Sequence, residues 1–202
     1  MTQEQRNRNT KLAFAAALKE LLNRKPLNKI TVQDLTTACD VNRKTFYYHF
    51  TDVYDLLKWM LDEEALNVVK QFDLVADFQD AAMFVMDYIE KNNHILRCAY
   101  DSLGRDELKR FLYQDFIEIV RSVILRFEQE LDLTVSDRCL GLLCDFYAEA
   151  IAGVIISWLQ DRKHLDRETA AAYLDTVLFS TVPAALQACV ELEKQQPVSA
   201  DA

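Results

Sequence analysis

Along most of the chain, apolar residues return every three to four positions, the spacing of one face of a helix. Phe14, Ala17, Leu18 and Leu21 mark a first amphipathic helix that ends before Pro26. Leu56, Leu57, Met60 and Leu61 begin another after Thr51, and Phe78, Ala82, Val85, Met86 and Ile89 form a stripe that stops at Asn92-Asn93. A long helix follows Gly104, carried by Leu108, Phe111, Leu112, Phe116, Ile119, Val120, Val123 and Phe127. Leu140, Leu143, Cys144, Tyr147, Ile151, Val154, Ile155 and Trp158 predict the next. The last predicted helix runs from about 167 to about 192, with Asp166 as its N-cap. Pro183 should kink it, because proline lacks a backbone donor and crowds the preceding turn. There is no repeat and no alternating stretch long enough for a convincing strand.

Composition supports the same class. Of 202 residues half are apolar, while only three are glycine and three proline. A sandwich or barrel needs many more turn residues than that. The expected fold is all-α with a sizeable core. The N-terminus, Met1-Thr2-Gln3-Glu4, has no apolar segment like that of a signal peptide, and no apolar run approaches the roughly 18 residues that span a bilayer. Cys39, Cys98, Cys139, Cys144 and Cys189 are scattered with no Cys-x-x-Cys pair, which favours reduced thiols in a cytoplasmic protein over a disulfide frame or zinc site.

The net charge of −9 argues against a protein that coats DNA or an anionic membrane. Its distribution changes the picture. Residues 1–50 carry nine Lys and Arg against four Asp and Glu, a balance of +5, and residues 51–202 carry 14 against 28, a balance of −14. A small basic head therefore precedes an acidic body.

Within that head, residues 30–50 hold two helix starts built from the same parts. Thr31 is an N-cap with Asp34 at the third helical position, and Ile30 and Leu35 can form a hydrophobic staple. Asn42 is the second N-cap, with Val41 and Phe46 at the equivalent staple positions. Cys39-Asp40 must turn tightly between them, so the pair reads as a helix-turn-helix. On the second helix Phe46 and Phe50 pack inward, while Arg43, Lys44, Tyr47 and Tyr48 share another face. In a major groove Arg43 or Lys44 could donate to guanine O6 and N7, and Thr45 could touch a thymine methyl. Tyr47, Tyr48 and His49 could donate to phosphates, which sets register rather than sequence preference. Singly, each of these residues also fits an ordinary core or solvated surface.

These residues resemble the TetR/AcrR family of one-component transcriptional regulators. The match is Ile30-Thr31-Val32, Val41-Asn42-Arg43 and Thr45-Phe46-Tyr47-Tyr48-His49-Phe50, continuing through Thr51-Asp52 and Leu56. It covers roughly the first 60 residues; the rest matches as a helical region of suitable length. Residues 88–92 resemble the branch that includes the activator of dihydroxyacetone-kinase operons. The resemblance implies a homodimer whose paired reading helices enter successive major grooves of a palindromic operator, with an effector in the C-terminal body changing the spacing of the heads. It implies DNA contacts from Thr31, Arg43, Lys44, Thr45, Tyr47, Tyr48 and His49. Two positions depart from the pattern: Asp40 stands where glycine is common, and Val53 where lysine is frequent.

The expected domains are a head over 1–50, a connecting helix over 51–70, a ligand-binding and dimerisation region over 51–195, and a flexible tail over 196–202. Gly141, Ala148, Ala152 and Gly153 on one helix, and Ala170, Ala171, Ala172, Ala184, Ala185 and Ala188 on the last, allow close helix approach. Helices about 140–160 and 167–192 would then form the homodimer interface, or else pack within one subunit. Met83, Met86, Phe111, Phe116 and Tyr147 could line an effector cavity or be ordinary core. Glu90 and His94 lack a third ligand, so no metal is expected, nor any cofactor. His164 reads as a solvated loop residue. No phosphate loop or nucleophile elbow is present, which leaves no expectation of an enzyme. The expected function is an effector-responsive repressor released from a DNA operator by a small molecule. The alternatives are an activator, or a helical adaptor controlled by a protein partner.

Overall fold

Thr2 starts the first helix. Its hydroxyl accepts the Gln5 N–H at 3.2 Å while the Gln5 side chain accepts the Thr2 N–H at 2.9 Å, a reciprocal cap that lets α1 (Gln3–Leu22) begin among polar residues. The computed structural model describes residues 2–160 and 166–195, so the expectations for His164 and for the tail over 196–202 lie outside the described residues. No strand occurs among the described residues.

After α1 the chain makes a 3₁₀ turn at Leu27–Lys29 behind Pro26, then α2 (Val32–Ala38), α3 (Arg43–His49) and α4 (Val53–Leu61). A π-type segment, Asp62–Leu66, carries α4 into the single turn α5 (Asn67–Val69). Then come α6 (Phe78–Lys91), α7 (Asn93–Leu103), α8 (Arg105–Glu130), α9 (Asp137–Gln160) and α10 (Arg167–Gln195). The sequence pattern did not predict α7 as a separate helix. Gly104, at φ 80°, ends it, and its N–H donates to the Tyr100 carbonyl at 2.8 Å.

The chain divides into two compact units, with α6 and α8 contributing to both. The first comprises Met1–Val69 and Tyr88–Leu108. Its core is built on Phe14, Leu18, Leu35, Phe46, Leu56 and Met60, all fully buried. Phe14 meets Phe46 edge-on at 5.3 Å and Phe50 at 6.3 Å, the favoured arrangement of aromatic quadrupoles. Ion pairs tie α1 to the π-type segment: Arg8 to Glu63, and Lys19 to Glu64 at 2.5 Å. The Tyr88 hydroxyl donates to the same Glu64 at 3.1 Å, and the His94 ring lies 2.9 Å from the Leu22 carbonyl at the end of α1.

The second unit comprises Lys70–Asp87 and Lys109–Ala202. Met86, Ala170 and Ala171 are buried together, with Ala82, Met83, Trp158 and Leu174 packed around them. The Phe179 ring sits 5.8 Å from Phe78 and 5.3 Å from Phe127. Asp73 grips Arg126 with both carboxylate oxygens at 2.7 Å, and Arg167 pairs with Asp87. Asp166 does cap α10, accepting the Thr169 N–H at 2.9 Å. Pro183 lies inside that helix, which continues as one element to Gln195.

Candidate nucleic-acid interface

The two short helices of the head are held by their own caps. At α2 the Thr31 hydroxyl accepts the Asp34 N–H at 3.2 Å, and an Asp34 oxygen accepts the Thr31 N–H at 2.7 Å. Lys25 adds a 2.7 Å ion pair to the same carboxylate. The lysine first, and the Thr31 hydroxyl and N–H after it, draw the Asp34 pKa down to about 2. At α3 the Asn42 side chain accepts both the N–H and the hydroxyl of Thr45, at 3.0 and 3.2 Å.

The turn joining them is closed without glycine. Asp40 takes φ 51°, its N–H donates to the Thr37 carbonyl at 3.3 Å, and the Val41 N–H reaches back to the Thr36 carbonyl at 3.0 Å. Those two bonds and the left-handed residue form a Schellman closure of α2.

Phe46 and Phe50 anchor α3 from below, as expected, and leave its other side in solvent. Arg43 and Lys44 are exposed in its first turn. Tyr47 and Tyr48 are 53% and 69% exposed, large for aromatic rings that could have joined the core beside them. The Arg43 guanidinium lies 3.5 Å from the Tyr47 hydroxyl one turn on, so the two heads share a patch. Thr31 is exposed at the start of α2, with its hydroxyl engaged by Asp34 at 2.6 Å, and Thr45 is half-buried against Asn42. His49 is half-buried, its ring 4.8 Å from that of Tyr48. Burial, then the neighbouring Lys11 charge, holds the His49 pKa below its ordinary value, so the neutral ring predominates near neutral pH. Lys11 itself lies over the Phe50 and Trp59 rings at 5.4 and 5.3 Å.

An open cleft of about 620 Å³ runs beside this face, lined by Gln33, Thr37, Asp40, Asn42 and Thr45 among others. Gln33 and Thr37 are exposed polar residues on α2, linked by a 3.3 Å hydrogen bond, and lie outside the set that the family resemblance implies. Their signal was available: polar side chains four apart beside the turn.

The residues expected to line an effector cavity lie as follows. Met86, Phe116 and Tyr147 are buried, Met83 and Phe111 half-buried, and the two methionines share one cluster. Tyr147 donates its hydroxyl to Thr181 at 3.0 Å. A separate cavity of about 400 Å³ in the second unit is bounded by Lys70, Phe72, Asp73, Ile119, Ser122, Val123 and Arg126, among others, and none of the five lines it. Among the described residues no group of three or more His, Cys, Asp or Glu is placed to hold a metal.

Residues 15–59 match the family model described as bacterial regulatory proteins, tetR family, and residues 76–180 match one described as a transcriptional regulator C-terminal region. The HTH-type dhaKLM operon transcriptional activator DhaS of Lactococcus lactis subsp. lactis (strain IL1403) is 21% identical over 145 residues, 72% of this chain and 76% of the relative. Among solved structures, dihydroxyacetone kinase operon activator DhaS aligns at TM-score 0.57 and 19% identity, over 91% of this chain and 97% of its own. Native NalD, the secondary repressor of the MexAB-OprM multidrug efflux pump in Pseudomonas aeruginosa, aligns at 0.53 and 20% identity, over 86% and 96%. At these identities the solved structures speak for the fold alone.

Proposed function

The chain belongs to the TetR family of bacterial transcriptional regulators, and on that footing we propose that it is a homodimeric repressor, released from a palindromic operator by a small-molecule effector. The observation that carries DNA reading is the α3 face. Two cations and two outward tyrosines stand on a short helix whose other side is locked into an aromatic core. Arg43 and Lys44 read base edges, Thr45 meets a thymine methyl, and Thr31, Tyr47, Tyr48 and His49 set register on phosphates. Gln33 and Thr37 extend the contact along α2. The head over 1–50 binds DNA in the cytoplasm, where a bacterial operator lies, and the region over 51–195 carries dimerisation and effector response.

Two features of α9 and α10 support the dimer. Outside its own stretch of helix, a Cβ built on Gly141 or Gly153 meets no atom within 4 Å, so none of the described residues uses the approach these glycines permit. Leu142, Phe146, Tyr173, Val177 and Leu192 are all more than half exposed along the same two helices. Pairing through this face supplies the second head that a palindrome with half-sites about 34–36 Å apart requires. For the effector, Met83, Met86, Phe111, Phe116 and Tyr147 remain the proposed lining.

The likeness to DhaS, named as an activator, favours activation as a second reading. A reporter behind the chain's own upstream promoter separates the two by the sign of its response when the gene is deleted.

The test of DNA reading is binding to that upstream DNA across a salt series. Nanomolar binding that weakens steeply with salt, and at least about 1,000-fold preference over random DNA, is the expected result. Arg43→Ala should shrink that preference about tenfold or more, whereas Tyr48→Phe should weaken operator and random DNA alike. Equal affinity for operator and random DNA, with and without effector, would overturn the proposal in favour of a helical adaptor.

A further inference from the structure

Two thiols far from α3 in sequence carry a chemistry that DNA reading does not use. Cys139 on α9 and Cys189 on α10 are free and half-buried, and the Cys189 thiol is among the neighbours that act on Cys139. Their meeting follows from the register of the two helices. At one end the Ser136 N–H donates to Glu193 Oε2 at 3.1 Å, and the Ser136 hydroxyl to Glu193 Oε1 at 2.5 Å. About three turns further along α9, the Tyr147 hydroxyl donates to Thr181 Oγ1 at 3.0 Å. The helices therefore run antiparallel between these contacts. One turn into α9 from Ser136 is Cys139, and one turn back along α10 from Glu193 is Cys189, so the sulfurs occupy the next rung of the same ladder. The Ser136 hydroxyl also accepts the Cys139 N–H at 3.2 Å, which fixes the backbone at that rung.

We propose that Cys139 and Cys189 are a site of reversible oxidation, forming a disulfide within one chain by exchange with a low-molecular-weight disulfide. The thiolate of one cysteine attacks a sulfur of the reagent, forming a mixed disulfide and expelling one thiolate. The second cysteine, deprotonated, attacks the protein-bound sulfur and expels the other. The S–S bond of the reagent breaks and one forms in the protein, two protons leave the cysteines, and the reagent is reduced by two electrons to two thiols. Neither cysteine is fully buried, and the part of each that stays exposed lets a small reagent reach the pair. Burial first, then the contact with Cys189 and the carboxylates of Glu193 and Glu128, push the Cys139 thiol up to about 12. Exchange is accordingly slow, suited to a sustained shift in thiol–disulfide balance rather than a brief pulse. The bridge would join the start of α9 to the end of α10, the helices that bear the exposed apolar residues.

The test uses the full chain incubated with oxidised glutathione, then unfolded in urea and alkylated with iodoacetamide so that buried Cys144 also reacts, digested and mapped by mass. A peptide linking 139 to 189 should appear, two of the five thiols should escape alkylation, and dithiothreitol should restore all five. Cys189→Ser should instead collect glutathione on Cys139. The oxidised chain should melt about 5 °C higher, as expected for a bridge closing a long loop in a domain of this size. No linked peptide in the unaltered chain, a linkage between two chains, or a lower melting temperature on oxidation would overturn the proposal. Mapping the unaltered chain needs no variant to fold, and its outcome is independent of operator binding.

Discussion

At the scale of single residues, Asp40 does two opposed things. It closes α2 in the left-handed conformation that glycine adopts freely, and the Schellman bonds around it show that the closure is complete without glycine. A residue with a Cβ is strained there by roughly 1–2 kcal/mol, less for Asp than for most. Its carboxylate is also exposed on the cleft beside α3, where it opposes an approaching phosphate. Replacing the charge and relieving the strain are separable. Asp40→Asn removes the negative charge and keeps a side chain that tolerates the turn, so it should tighten binding to operator and random DNA alike by several-fold. Asp40→Gly should do the same and add about 1 kcal/mol of stability in urea denaturation. Unchanged affinity of Asp40→Asn for both DNAs would place the carboxylate away from the phosphates.

At the scale of elements, α2 depends on one carboxylate shared by a cap and an ion pair. Asp34 is held at about 2 by Lys25 and Thr31, below its value in an unfolded chain. The sign follows: its contribution is present above the unfolded carboxylate value near 3.9 and is lost as pH falls through the folded one. Asp34→Asn should therefore be less stable than the unaltered chain by about 1 kcal/mol near pH 7, the usual worth of such a cap. The gap should close between about pH 4 and pH 2 in urea denaturation, and a gap independent of pH would remove the charge from the explanation. Caps of this kind are why α2 and α3 were legible in the sequence: Thr31, Asp34 and Asn42 act within three residues of themselves. So was the α3 face, because Phe46 and Phe50 dictate which side turns outward. The separate helix α7 was not, since Asn92-Asn93 reads as a stop, whereas Asn92 uses its side-chain amide to hold the Tyr88 carbonyl and the chain turns directly into Ile95, Leu96 and Ala99. The π-type segment after α4 was equally hidden. Glu63 and Glu64 find their cations, Arg8 and Lys19, on α1, and no local pattern announces a pairing at that separation.

At the scale of the molecule, the exposed apolar face of α9 and α10 asks what covers it. Neither helix holds an uninterrupted apolar run of bilayer length, yet both are long enough and on average apolar enough to cross one. The arrangement of α9 argues for a protein partner. One face packs Leu143, Tyr147, Ala148, Ala152 and Ile156 inside its own chain, and Asp145 and Glu149 stand beside Leu142 and Phe146 on the other. Asp145 accepts the Tyr113 hydroxyl at 2.6 Å and Glu149 pairs with Lys109, polar contacts that lipid would strand and a helical interface can keep at its rim. A second copy offers the same apolar residues in return, as a two-fold interface requires. Phe146 is 64% exposed and its ring contact is edge-on to neighbouring Tyr147 at 5.3 Å, so Phe146→Asp costs the chain little and should leave its helicity intact. In sedimentation it should shift the protein from dimer to monomer, because an aspartate facing its symmetry mate would be buried without a partner. Each head would then bind its half-site alone, and operator affinity should fall by about 100-fold or more as the intramolecular advantage of the second head is lost. A Phe146→Asp protein that sediments as a dimer and keeps its operator affinity would move the interface away from α9. One that becomes a monomer yet binds the operator unchanged would mean that a single α3 suffices, and that the acidic body, at −14, contributes nothing to binding beyond keeping nonspecific contacts weak.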